Sequence, residues 1–450
     1  MTEAKDIDDS LEFLRFFEKY TANPEMGALV QEKLSADKKS LDLRLIKLKE
    51  DDFKTLAAME PLSRVQSLNL DETGLTSVGL KHLVLAKIFS SLGSLSLANN
   101  NLDDEGIFYL SKSPDLQNLT DLNLSSNEIG MLGARVLFMS AGLKNLTRLN
   151  LSYNRIEALG IKALGDAPHK PLLRELDLRD TCLGDEGVIQ IARHVRLEDL
   201  ETLDLSDNAI TFSGMEALAR SQAFPKIRRL VLNNNHIGDD GMYAIAQSDL
   251  FSNLEELTLL NNSLTTDSAI SLAESRTMSR LKLLDLNNND VRAEGVQALA
   301  QSPNLKGLKV LDLGENKVGP EGAAALAKSP YLSGLTWLRL NNNNISDKGA
   351  IAIAQSTTLT HLESLFLENE NWIHAAGTKA IAESQSLSSL KKLVLSLNMI
   401  GDEGARYLAG SRTLSGLLNL NVAGNRLSSE AENALIHSTA LANIKTLEIV

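Results

Sequence analysis

One feature decides what this chain can fold into: a leucine that returns every 27 residues. The segment Leu92-x-x-Leu95-x-Leu97-x-x-Asn100-x-Leu102 recurs as Leu119/Leu122/Leu124/Asn127/Ile129 and again as Leu146/Leu149/Leu151/Asn154/Ile156. With the middle leucine as anchor, the series runs Leu68, Leu95, Leu122, Leu149, Leu176, Leu203, Leu230, Leu257, Leu284, Leu311, Leu338 and Leu365 in equal steps. Leu393 follows after one step of 28, then Leu420 and Leu447; Leu41, with Leu43, Ile46 and Leu48, extends the series backwards. A chain of 450 residues would otherwise divide into two or three globular domains. Self-similarity at a fixed short period replaces them with stacked layers that bury one another. Aromatic residues make up only 4% of the sequence, so leucine and alanine must fill those layers.

Each repeat explains its own local structure. Leu-x-Leu alternation is the period-2 signature of a short strand with one buried face. The asparagine that follows (Asn100, Asn208, Asn235, Asn289, Asn316) stands where the chain turns inward, and its amide can satisfy loop backbone groups that would otherwise be buried unpaired. Thr73 and Thr181 occupy the same slot in two repeats. A helix then begins, with Asp104, Asp185, Asp239, Asp347 and Asp402 placed as N-caps. The pattern Gly-Ala-x-Ala-Leu-Ala-x-Ser, clearest at Gly322 to Ser329, lays small residues along the inner helical face. Capping accounts for the recurrent Asp-Glu-Gly, which taken alone would invite a calcium or phosphate reading.

Strands neighbour one another at about 4.8 Å and helices at about 10 Å, so stacked repeats must curve with the strands inside, by roughly 20–25° per unit. The expectation is an α/β solenoid: a horseshoe of about sixteen strand–helix units, with a parallel sheet on the concave face and helices on the convex face. The 27-residue unit, with Leu-x-Leu-x-x-Asn and the Gly-Ala-x-Ala-Leu-Ala helix, resembles the ribonuclease-inhibitor-like class of leucine-rich repeats across residues 37–450. The regularity of the unit also resembles leucine-rich-repeat effectors of intracellular bacterial pathogens of the Legionella type. That resemblance implies a protein acting in a host cytosol.

The ends differ from the repeats. Residues 9–20 read as a helix with Leu11, Leu14 and Phe17 on one face. Asn23-Pro24-Glu25 reads as a second helix start: cap, proline in the first turn, acid beside it. Residues 1–36 are therefore expected to form an N-terminal helical cap on a solenoid spanning 37–450. The chain reaches Leu447-Glu448-Ile449-Val450 within a strand, whose open edge is expected either to continue or to pair, including with a second copy.

Composition narrows the function. A formal charge of −13 disfavours nucleic acid, whose binding rests on Lys and Arg neutralising phosphates, and also disfavours anionic membrane surfaces. A protein partner with a basic or mixed-charge face is the natural complement. The single cysteine, Cys182, permits no intrachain disulfide and points to a reducing, cytoplasmic compartment. No phosphate-binding Gly-x-x-x-x-Gly-Lys-Ser/Thr, His-Glu-x-x-His or Gly-x-Ser-x-Gly is present, and the seven histidines are scattered over different repeat slots. The expectation is a non-enzymatic binder that needs no cofactor or metal.

The residues around each Leu-x-Leu face the cavity of the horseshoe. Early repeats place Asn69, Ser96, Asn123 and Asn150 there, and later ones the acids Asp177, Asp204, Asp285 and Asp312. In the C-terminal half apolar side chains enter positions where exposure is expected: Leu260, Leu283, Val310, Trp337, Phe366, Val394 and Leu397. With Arg339 and the acids as a rim, they are expected to form one patch anchored by a tryptophan. The one-residue insertion near Asn369-Glu370-Asn371-Trp372 is expected to push Trp372 toward Phe366. Two other functions compete. A Ran-type GTPase activator would use Asn-rich turns such as Asn233–Asn235 and Asn341–Asn344, and a homo-oligomeric scaffold would use the terminal strand edge.

Overall fold

The computed structural model describes residues 23–86, 90–113, 115–169 and 172–449; the helix expected over residues 9–20 lies outside them. The chain forms two compact units, Met1–Ala209 with Ser221–Lys226, and Ile210–Arg220 with Ile227–Val450. In the first unit, seven three-residue strands run parallel in chain order, from Ser40–Asp42 to Thr202–Asp204. In the second, nine do so, from Arg229–Val231 to Thr446–Glu448. Anchor leucine pairs with anchor leucine: Leu284 stands between Leu257 and Leu311, and Leu365 meets Leu393 across the longer step.

The alternation in the sequence becomes a division of faces. In the strand Trp337–Arg339 the central Leu338 is buried while both neighbours remain partly open to solvent. Leu338 and Leu340 point inward to the layer that also receives Ala350 and Ile353 of the helix Ser346–Ala354; all four are fully buried. Each such leucine contributes about 2 kcal/mol of burial. The helices must also approach one another closely. A Cβ on Gly349 would come within 3.0 Å of the Ala323 Cβ and 2.9 Å of Ile345 Cβ, so the glycine after each helix-opening acid is a packing requirement. Both units are thus α/β solenoids of strand–helix repeats.

Asparagines connect the layers. The Asn100 amide nitrogen donates to the carbonyls of Leu70, Leu97 and Ala98, and its oxygen accepts from the N–H groups of Gly74 and Leu75. Asn208, Asn289 and Asn316 repeat the arrangement, each reaching a carbonyl thirty residues earlier. Thr181 makes the shorter version, its hydroxyl donating to Leu178 O at 2.6 Å. The extra residue lies between Leu367 and Asn371, and Asn371 still reaches the carbonyls of both Leu340 and Leu367.

The helix caps depart from expectation. The N-cap of the helix Asp104–Lys112 is Asp103, not Asp104. Asp104 instead accepts from Gly130 N at 2.7 Å, at the start of the next helix. Asp239, Asp347 and Asp402 do the same: each lies in the first turn of its own helix and its carboxylate accepts from the repeat that follows. Asp239 takes the N–H of Thr265 and Ser268 and both their hydroxyls. The reason is geometric: an acid one turn inside its helix faces the neighbouring helix start rather than its own free N–H groups. Asp239→Ala should therefore destabilise the protein by about 1–2 kcal/mol, read by urea unfolding. A Thr265→Val variant should already have lost part of that effect, and full additivity of the two changes would show that they do not act through one bond. At the N-terminus the helix Pro24–Lys33 forms as the Asn-Pro-Glu signal predicts, with the Asn23 side chain accepting from Met26 N and with Met26 and Val30 buried.

Candidate binding face

On the second unit two rows of side chains stand on the strand face away from the helices. One row, in register on three successive strands, is Leu283, Val310 and Trp337. The other is Asp285, Asp312, Arg339, Phe366 and Val394. The Trp337 and Phe366 rings bridge the rows with centroids 4.9 Å apart at 47°. Phe366 is also flanked by cations: Arg339 lies 5.6 Å and the Lys392 Nζ 5.0 Å from its centroid. Arg339 pairs with Glu368 at 3.1 Å and Asp312 at 3.8 Å. Phe366, Val394, Arg339, Glu368 and Lys392 line one groove of about 450 Å³.

Not every residue singled out in the sequence joins this group. Val394 is only 8% exposed, not open as expected, because it stands in register between Phe366 and Asn421. Leu260 belongs to a third row, with Asn287, Gly314 and Asn341, away from Leu283. Trp372 is 45% exposed but lines a separate groove with Leu397, Met399, Asn342, Glu370 and Arg426. The insertion leaves it past the Asn371 bond, on the loop toward the next helix. Asp177 and Asp204 are register neighbours in the first unit. Glu368 and Lys392 were missed, and Asn341 was read only as part of an Asn-rich turn. Two of them were legible, since Glu368 lies two residues past Phe366 and Asn341 two past Arg339, the spacing that returns a side chain to the same face.

The acids on these rows are unusual. Burial pushes the Asp285 carboxyl up to about 6, and the nearby Asp312 adds to the effect against the Asn287 N–H and Arg339. Asp312 is raised, chiefly by burial. Asp177 is raised by burial, with Asp204 adding to it. For Asp285 the sign is unfavourable to folding at neutral pH. The folded chain holds a proton that the unfolded chain releases near 3.8, so the folded state loses stability as pH rises from about 4 to about 6. Asp285→Asn should raise stability at pH 7.5 by roughly 1–3 kcal/mol, with the gain gone by about pH 4. Chemical denaturation at the two pH values checks this; a gain equal at both would remove the carboxylate as its source.

The family profile described as leucine-rich repeat matches ten segments, 90–111, 115–138, 142–165, 169–192, 197–219, 225–246, 279–300, 307–327, 335–354 and 386–409. These cover just over half of the sequence, and the chain belongs to the leucine-rich-repeat family. Proteins of this family generally act as protein-interaction modules, and the fold is typically a binding scaffold. Among solved structures, a leucine-rich-repeat protein of Leptospira interrogans is similar at 22% identity and a TM-score of 0.51, over 93% of this chain and 97% of that one. An internalin of Listeria monocytogenes is similar at 20% identity and a TM-score of 0.48, over 89% and 94%. A TLR13–ssRNA13 complex is similar at 21% identity and a TM-score of 0.49, over 93% of this chain and 63% of that one. No curated protein sequence matches the chain. Among the described residues no helix is long and apolar enough to cross a membrane, and no group of three or more His, Cys, Asp or Glu could hold a metal ion.

Proposed function

We propose that this protein is a non-catalytic interaction module of the ribonuclease-inhibitor-like kind, holding a protein partner of basic or mixed charge on its open strand face. The observation that carries this reading is the Trp337–Phe366 ring pair, standing partly exposed among Leu283, Val310, Arg339 and the acids Asp285 and Asp312. Aromatic rings in contact and ringed by charge are the composition of a binding hot spot, where a desolvated anchor supplies affinity and the rim supplies selectivity. Trp372 is a secondary contact in this reading, since it lines a separate groove. The regular repeat, similar to that of bacterial effectors, fits a binder working in the cytosol of a host cell.

The test is affinity capture from bacterial and eukaryotic cytosol, comparing the native chain with a Trp337→Ala/Phe366→Ala variant by mass spectrometry. One protein retained by the native chain and lost by the variant is expected. Identical capture by both would overturn the assignment.

A further inference from the structure

The helices of the first unit break the repeat pattern at one place. Six residues after the packing glycine, other repeats set a polar side chain at the helix end: Asp166, Arg193, Arg220 and Gln247. Met139 fills that slot after the helix Met131–Phe138, and Leu85 fills it two helices earlier; they are 45% and 76% exposed. Lys112 holds the same slot on the helix between them, Asp104–Lys112. Two residues after the glycine, neighbouring helices carry Lys81, Arg135 and Lys162, whereas this helix carries Phe108, 45% exposed. A large apolar side chain left in water forgoes about 1.5–3 kcal/mol that full burial would supply. Neighbouring ones in slots that are polar elsewhere mark a surface to be covered.

These side chains border a groove. Phe108, Val136 and Met139 form its apolar wall, in a space of about 640 Å³ that Lys112, Gln117 and Lys144 also line. Its serines are committed to the backbone: the Ser111 hydroxyl donates to Phe108 O at 2.8 Å and that of Ser140 to Ser111 O at 2.9 Å. No carboxylate lines the groove among the described residues, on a chain whose formal charge is −13. Other helical cations find an acid three or four residues away, as Lys54, Lys162 and Arg220 do. Lys112 has Phe108 at that spacing instead, its Nζ 5.5 Å from the ring centroid, and Lys144 has no acid three or four positions away. Both ammoniums are open to an outside anion. The two helix ends oppose this only weakly, each with about half a negative charge against the full positive charges of the two lysines. An occupant that fits joins an apolar side chain to carboxylates. An open trough between helix ends suits a peptide side chain, whereas a long acyl chain needs an enclosed channel to bury its length.

We propose that this groove docks an acidic segment of a partner protein, one apolar side chain resting on Phe108 and Met139 with carboxylates beside it paired to Lys112 and Lys144. These residues belong to the first unit and the Trp337–Phe366 pair to the second, and the charge sought is the opposite one. The proposal therefore stands without the reading of that face.

The test follows the Met139 methyl signal by NMR in the full chain carrying isotope-labelled methionine methyl groups, identified as the signal lost in Met139→Leu. The probe is the capped peptide Glu-Leu-Phe-Glu, with Gln-Leu-Phe-Gln and Glu-Ser-Ser-Glu as controls. The probe should move the signal saturably, and each control should bind at least about fivefold more weakly. A Lys112→Gln/Lys144→Gln variant, changed only at exposed side chains, should weaken the probe by a similar factor. Phe108→Gln, which installs the residue type that Gln297 provides in the same slot, should do so independently. Equal binding of the Glu and Gln peptides, unchanged binding in the double lysine variant, or no shift with the probe would overturn the proposal. So would a shift with myristate in place of the peptide, which would assign the groove to a fatty anion.

Discussion

Replacing Asn316 by alanine will destabilise the protein by about 3–5 kcal/mol, far more than the loss of one side-chain hydrogen bond. The residue is fully buried. Its amide nitrogen donates to Leu286 O and Gly314 O, both at 2.8 Å, and its oxygen accepts from Val291 N at 3.2 Å. Alanine removes these bonds and leaves the backbone groups of two repeats inside a core with no access to water, each costing its desolvation energy. Asn316→Asp tests the mechanism, because it keeps the acceptor but replaces the donor with a second acceptor against two carbonyls; it should be at least as damaging at neutral pH. Urea unfolding of the native and variant chains reads the difference. A loss below about 1 kcal/mol in Asn316→Ala would mean that water or a backbone shift takes over the bonds.

The second large effect concerns the ring pair. Trp337→Ala/Phe366→Ala is expected to weaken partner binding by about 2–4 kcal/mol, roughly 30- to 1,000-fold, while costing the fold far less. Neither ring belongs to the buried layer. The leucine on each strand, Leu338 or Leu365, is fully buried and holds the repeat in place, whereas the rings rest on the open side. Their mutual contact is worth about 0.5–1.5 kcal/mol. Calorimetry with the captured partner measures the affinity, and thermal unfolding measures the stability. A variant that loses both to the same degree would assign the rings to the scaffold.

The fold was legible because its information is local and repeated. The leucine anchors name every strand and its register, and the asparagine slot names the bond that joins successive layers. What the sequence concealed was direction. Asp104 and Asp239 sit where a capping acid is expected, yet they serve the following helix, and only the lateral placement of helices reveals that. The candidate site was half legible. The two strand rows with Trp337, Phe366, Arg339 and the acids follow from period-2 alternation and equal spacing. The separation of Trp372 from Phe366 does not, because the path of the loop past Asn371 depends on left-handed backbone at Asn369, Glu370 and Trp372. The unpaired oxygen of the buried Asn341 was also hidden, since an asparagine's identity does not say whether a donor will lie beside it.

The single extra residue has a wider meaning for how such an array tolerates change. Between Leu367 and Asn371 the backbone count differs from every neighbouring repeat, yet Asn371 finds the carbonyls its counterparts find, and Leu393 meets Leu365 in register. Alignment between layers is therefore stored in where an amide side chain arrives, not in how many peptide units precede it. Loop length is free to drift wherever the asparagine can still reach back. The outer loops can thus be lengthened and reshaped by single codons while the stack beneath keeps its phase.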